Sequence, residues 1–105
     1  MPMRTAKVFF QAKPAGYLQE LEDGREYRFE YNPEYGGPPI SLTMPVRGEP
    51  YVFEEFPPFF DGLLPEGAQL EALLRLHKLD RDDKFGQMLL IGADTVGAVT
   101  ISEAS

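Results

Sequence analysis

Phe56-Pro57-Pro58-Phe59-Phe60-Asp61-Gly62-Leu63-Leu64-Pro65-Glu66-Gly67 divides this chain into two halves of different periodicity. Three phenylalanines and two leucines are interleaved there with three prolines and two glycines. Proline fixes its own φ and pushes the residue before it away from helical backbone, so the stretch reads as a stiff apolar connection and not a regular element. A connection of this kind either packs against its own core or is presented to a partner. As core, Phe56, Phe59 and Phe60 would each contribute about 2–3 kcal/mol by burial. Other segments already supply a small core, so part of the stretch is expected to pack inward and the remainder to form a binding patch.

Before this stretch the period is two. Val8 and Phe10 alternate with Lys7, Phe9 and Gln11, a turn is expected around Lys13-Pro14-Ala15-Gly16, and a second strand runs from Tyr17 to Leu21. Asp23-Gly24 is a hairpin signal, because both residues tolerate the positive φ of tight turns. Tyr27, Phe29 and Tyr31 then face one way while Glu26, Arg28 and Glu30 face the other. The breaker-rich Asn32 to Pro39 segment is a loop. Ile40, Leu42 and Met44, alternating with Ser41 and Thr43, predict a fourth strand ended by Pro45.

After the stretch the period becomes 3.6. Pro65 suits a first helical turn, where its missing donor costs nothing. Leu70, Leu73, Leu74 and His77 form one stripe, and Glu71 with Arg75 is an i,i+4 pair worth a few tenths of a kcal/mol. Asp82 is expected to cap a second helix carrying Phe85, Met88 and Leu89 on one face, with Gly92 ending it. Val96 to Ser102 returns to strand, with Val99 and Ile101 on one side. The expected fold is α+β: one domain over residues 1–105, a small antiparallel sheet of about five strands packed with two or three short helices.

Composition narrows the function. At 105 residues the chain supports one core without staples, since a domain of this size buries somewhat over about 60% of its unfolded surface. Its 43% hydrophobic and 12% aromatic content is that of a folded protein. Seventeen acidic residues against ten Lys and Arg give a net charge of −7, which repels phosphate backbones and argues against direct nucleic-acid binding. There is no cysteine and one histidine, leaving no thiolate metal site, no disulfide and no histidine-based triad. Neither a signal-peptide h-region nor a membrane-length apolar run is present, so a cytoplasmic location is expected.

The remaining candidates for chemistry are weak. His77 lacks a second metal ligand and reads as structural. Asp61 and Glu66 are separated by a glycine and a proline that fix no distance, so general acid–base work is not expected; a turn and a first helical turn are their ordinary places. Gly92-Ala93-Asp94-Thr95-Val96-Gly97 lacks the lysine of a phosphate loop and runs helix to strand, the wrong order. No catalytic residue, cofactor or metal is expected.

Three blocks in order carry a resemblance: Ile40-Ser41-Leu42-Thr43-Met44-Pro45, then Pro58-Phe59-Phe60-Asp61-Gly62-Leu63-Leu64-Pro65-Glu66-Gly67, then Gly92-Ala93-Asp94-Thr95-Val96-Gly97-Ala98-Val99. Together they resemble the N-terminal subdomain of HipA-type toxin kinases, over nearly the whole chain to Ile101. The nucleotide loop, catalytic aspartate and metal ligands of a full kinase have no counterpart here. A free-standing copy of this subdomain is similar to the HipS antitoxins of three-component HipB-HipS-HipT systems. The resemblance implies a non-enzymatic antitoxin that binds and neutralises a HipT-like serine/threonine kinase, with a HipB-like helix-turn-helix protein as a further partner. The alternative it implies is an accessory or detached N-terminal subdomain that supports a HipA-type kinase structurally. Met1 and the polar tail Ser102-Glu103-Ala104-Ser105 are expected to be natural ends. The partner-binding expectation rests on Phe59, Phe60, Asp61, Leu63, Leu64, Pro65 and Glu66.

Overall fold

The computed structural model describes residues 4–21, 25–95 and 98–104. Five antiparallel strands form one sheet: β1 Arg4–Phe10, β2 Lys13–Leu21, β3 Glu26–Tyr31, β4 Tyr51–Phe53 and β5 Val99–Glu103. Their spatial order is β4-β3-β2-β1-β5. Three helices, α1 Pro58–Asp61, α2 Gly67–His77 and α3 Lys84–Ile91, lie between β4 and β5 in the chain. The expected α+β class holds, and the alternation in β3 is as read: Tyr27, Phe29 and Tyr31 are buried. Ala6 and Val8 of β1, Leu18 of β2, and Val99 and Ile101 of β5 complete that face of the sheet.

The first turn lies three residues earlier than expected. Phe10 pairs with Lys13, and Gln11 and Ala12 make a two-residue hairpin loop with φ of 49° and 68°. Tight hairpins with matching twist need positive φ at both central positions, and here residues with no special liking for it accept the cost. Lys13 to Gly16 belong to β2. Val8 pairs with Gly16 and Phe9 with Pro14, so Ala15 is the extra residue of a bulge. The bulge accommodates a proline within a strand. Gly16 serves close approach: a Cβ there would stand 2.3 Å from the Glu30 carbonyl oxygen. The Asp23-Gly24 hairpin lies outside the described residues, although β2 and β3 pair from Gly16↔Tyr31 to Leu21↔Glu26.

The fourth strand also differs. Residues 40–44 fold back on themselves in a tight turn with a single bridge between Ser41 and Met44. Ile40 and Met44 are buried, whereas Leu42 is 96% exposed. Tyr31 is the cause: its buried hydroxyl accepts from the Ile40 amide at 3.0 Å and donates to the Met44 carbonyl at 2.5 Å. Burial pushes the Tyr31 phenol above its ordinary pKa, which keeps it a donor. The strand that pairs with β3 is the three-residue β4, through Tyr27↔Phe53, Arg28↔Val52 and Phe29↔Tyr51. A short edge strand of this kind offers little backbone for stray pairing.

The cap of α3 is Asp83, one residue beyond the expected Asp82; its carboxylate accepts from the Gly86 amide at 3.0 Å. Phe85 and Met88 are buried as read, and Leu89 packs on the core from its margin. The helix passes into a 3₁₀ turn at Gly92–Asp94. Gly92 keeps right-handed backbone, so its glycine answers to space: a Cβ would meet the Ile101 carbonyl oxygen at 2.0 Å. Val96 and Gly97 lie outside the described residues, and β5 begins at Val99. Among the described residues no helix is long and apolar enough to cross a membrane.

Candidate functional site

The segment 56–67 contains one regular turn. Pro57 is the buried N-cap of α1, and Pro58 occupies its first position, where a missing donor costs nothing. Asp61 N–H donates to Pro57 O and Gly62 N–H to Pro58 O, both at 3.0 Å. Leu63 N–H donates to Phe60 O and Leu64 N–H to Asp61 O, both at 3.1 Å. The backbone is thus tied from Pro57 to Leu64, and the stiffness expected from proline content comes equally from this hydrogen-bonded turn. Pro65 lies outside the helix it was expected to start. Glu66 is the N-cap of α2, with extended backbone and no side-chain capping bond, and Gly67 follows at φ +59°.

Successive residues of α1 point in different directions, which sorts the aromatics. Phe60 is fully buried, its ring 5.8 Å from Phe29 and 5.2 Å from Phe59. It is a core residue, and its place among the expected partner-binding residues is corrected here: a side chain with no exposed surface offers nothing to a docking protein. Phe59, Leu63 and Leu64 are half-buried against the core margin, and Pro65 is half-buried as well. Asp61 and Glu66 are exposed. Asp61 pairs with Lys84 Nζ at 3.4 Å, an exposed contact that holds α1 beside α3 weakly.

Three of the clefts along this ridge have Phe59, Leu63 or Leu64 in their walls. One of about 470 Å³ runs along Pro58, Asp61, Leu64, Leu70, Arg81 and Lys84. Another of about 330 Å³ lies across Leu63, Pro65, Gln69, Ile91 and Thr95. The third, of about 240 Å³, separates the Ser41–Met44 turn from Phe59 and is floored by Met44, Tyr51 and Phe53. The first two exist because α2 stands off the body. It buries none of its residues: Leu70, Leu73 and Leu74 are half-buried, His77 is exposed and Leu76 is 76% exposed. Glu71 pairs with Arg81 from the following loop and not with Arg75. Lys78 ends the helix in left-handed backbone, its N–H on Leu74 O.

Two features of this surface had no signal in the pattern. Leu42, in the middle of the expected fourth strand, stands in water; Leu76 lies off the apolar stripe and is also exposed. Asp61, Glu66 and Asp82 share one cleft border with Arg81 and Lys84. Among the described residues no group of three or more His, Asp or Glu converges on a metal-sized site.

The family model of the HipA N-terminal domain matches residues 6–102, and the chain belongs to that family. A solved structure, the N-terminal domain of HipA toxin, superposes with a TM-score of 0.77 at 33% identity, over 98% of this chain and 94% of that one. A protein of Haemophilus influenzae that carries no assigned role is 38% identical over 101 residues, which is 96% of this chain and 93% of that protein. "Putative kinase Y4mE" of Sinorhizobium fredii is 27% identical over 105 residues, and the shared part makes up 25% of its length.

Proposed function

We propose that this chain is a cytoplasmic, non-enzymatic antitoxin that binds and neutralises a HipT-like serine/threonine kinase. One observation carries the reading. The same domain makes up a quarter of Y4mE and nearly all of the Haemophilus influenzae protein. A unit that occurs both joined to a longer kinase-type chain and nearly by itself has a ready partner: a kinase chain without it. The apolar ridge supports this, because half-buried Leu63 and Leu64 flank the clefts that α2 leaves open and half-buried Phe59 lines the groove facing the Ser41–Met44 turn. A backbone already ordered loses little entropy on docking. Seated against a kinase, the ridge would block substrate access or hold the nucleotide loop in an unproductive shape. A HipB-like helix-turn-helix protein is the further partner of such a complex.

Co-expression tests it. The chain should restore growth to cells making the cognate kinase, and Leu63→Ser with Leu64→Ser should abolish that protection. Removing two apolar anchors should weaken the complex about 10- to 30-fold, or roughly 1.4–2 kcal/mol. Circular dichroism would confirm that the double variant remains folded. Full protection by a folded double variant removes the ridge from the inhibitory contact. The joined arrangement in Y4mE favours one other reading, in which the domain supports the kinase. Its sign is opposite: adding the chain would then raise phosphoryl transfer by the isolated kinase instead of suppressing it.

A further inference from the structure

Residues 32–50 form a long connection with no strand or helix of its own, and connections of that length in compact domains are usually functional when ordered. This one is pinned throughout by tyrosine hydroxyls. Tyr35 donates to Pro38 O at 2.5 Å and stacks on Tyr31 at 5.8 Å. Tyr31 clamps both ends of the Ser41–Met44 turn. Tyr51 donates to Pro45 O at 2.6 Å, while the Arg47 guanidinium lies 3.7 Å from the Tyr51 ring centroid and donates to the Glu49 and Pro50 carbonyls at 3.1 and 3.2 Å. Inside the turn, the Ser41 hydroxyl accepts from the Thr43 amide at 3.2 Å and Met44 N–H donates to Ser41 O at 3.0 Å.

All of this order ends in a leucine with 96% of its surface in water. A single exposed apolar residue on a mobile loop needs no account. A leucine held out by a turn that is bonded at its base and across its tip is a different object, because the cost of ordering it for a contact has already been met. Beside it is the 240 Å³ groove between Thr43 and Phe59, lined by Met44, Tyr51, Phe53 and Pro57. That volume is below the roughly 300–1,000 Å³ of small-molecule sites and suits one large side chain of a protein. The groove is continuous with the ridge: Phe59 of the ridge forms one of its walls, and Pro58 borders both the groove and the 470 Å³ cleft.

We propose that the Leu42 turn and its groove are a second arm of the kinase-binding surface. Leu42 enters an apolar recess of the kinase chain, and a large apolar side chain of the kinase enters the groove between Thr43 and Phe59. This rests on the antitoxin reading above and extends its contact from α1 to the far side of Phe59. The occupant is the kinase polypeptide because the groove shares its wall with the ridge, and a partner covering one must border the other.

Titration of the cognate kinase chain with purified variants tests the arm. Leu42→Asp should weaken the dissociation constant at least tenfold and leave the thermal midpoint where it is, since Leu42 packs on nothing. Thr43→Trp, which fills the groove from its rim, should weaken it comparably. A Leu42→Asp chain that binds as tightly as the original, while Leu63→Ser with Leu64→Ser does not, overturns the second arm and leaves the antitoxin reading intact. Failure of the unmodified chain to bind the kinase at all overturns both.

Discussion

Replacing Phe60 with alanine is expected to remove about 3–5 kcal/mol of folding stability, the loss typical of a large aromatic truncated inside a core. The ring has no exposed surface and lies against Phe29 of β3 and Phe59 of its own helix. Cavity formation adds to the lost transfer energy, because a core relaxes only partially around a deleted ring. Domains of this size have only about 5–15 kcal/mol in total, so the variant should lie near the edge of stability at growth temperature. Urea denaturation is the measurement: the midpoint should fall steeply with an unchanged slope. Any loss of protection by this variant should then track the unfolded fraction and recover on cooling, whereas Leu63→Ser with Leu64→Ser should lose protection while folded. A Phe60→Ala chain that loses less than about 1 kcal/mol would contradict the burial of this ring, because even a modest cavity costs more.

The contrast between Phe59 and Phe60 shows where sequence reading stops. Composition marks the whole Phe56 to Gly67 stretch as stiff and apolar, and it is both. Which of two adjacent phenylalanines is core depends on α1 adopting helical backbone, and a proline-rich string gives that no periodic signature. The alternation of Tyr27, Phe29 and Tyr31 was legible because one face of β3 is wet and the other covers the core. The same spacing in Ile40, Leu42 and Met44 misleads for a tertiary reason. The Tyr31 hydroxyl, 9 and 13 residues away, supplies the hydrogen bonds that a neighbouring strand would have supplied. Likewise the hairpin at Gln11 and Ala12 is set by pairing of β1 with β2, with no local residue preference announcing it. The clefts around the ridge were also unreadable, since they follow from α2 standing off the body. Its leucine stripe would equally fit a packed helix.

Arg4 carries the other large effect, and nothing in the local pattern marks it. Its guanidinium reaches Glu20 of β2 with Nε and Nη2 at 2.8 and 2.9 Å, and Asp83 at the start of α3 with Nη2 at 2.8 Å and Nη1 at 3.3 Å. It also lies 5.0 Å from the Phe85 ring centroid. One cation thus joins the sheet to the helix across 79 residues of chain. Glu20 is only 7% exposed, so Arg4→Met would strand a buried carboxylate beside a second one. The expected loss is about 3 kcal/mol at neutral pH, at the low end for a broken buried pair because the Arg4 side chain itself is 35% exposed. The deficit should depend on pH in a definite direction. The Arg4 hydrogen bonds, aided by the Gly86 amide, hold Asp83 below the ordinary carboxylate pKa against the opposing effect of burial. A depressed carboxylate contributes stability that is complete above its unfolded pKa and is lost as the pH falls through its folded one. The Arg4 guanidinium is pushed further up and stays charged throughout this range, adding no slope of its own. Wild type and Arg4→Met should therefore differ most above the ordinary carboxylate range and converge only as the pH falls below it, through the depressed Asp83 pKa. Urea midpoints across that range would show it, and a gap of constant size would mean that Arg4 acts by packing on Phe85 and not through its charge.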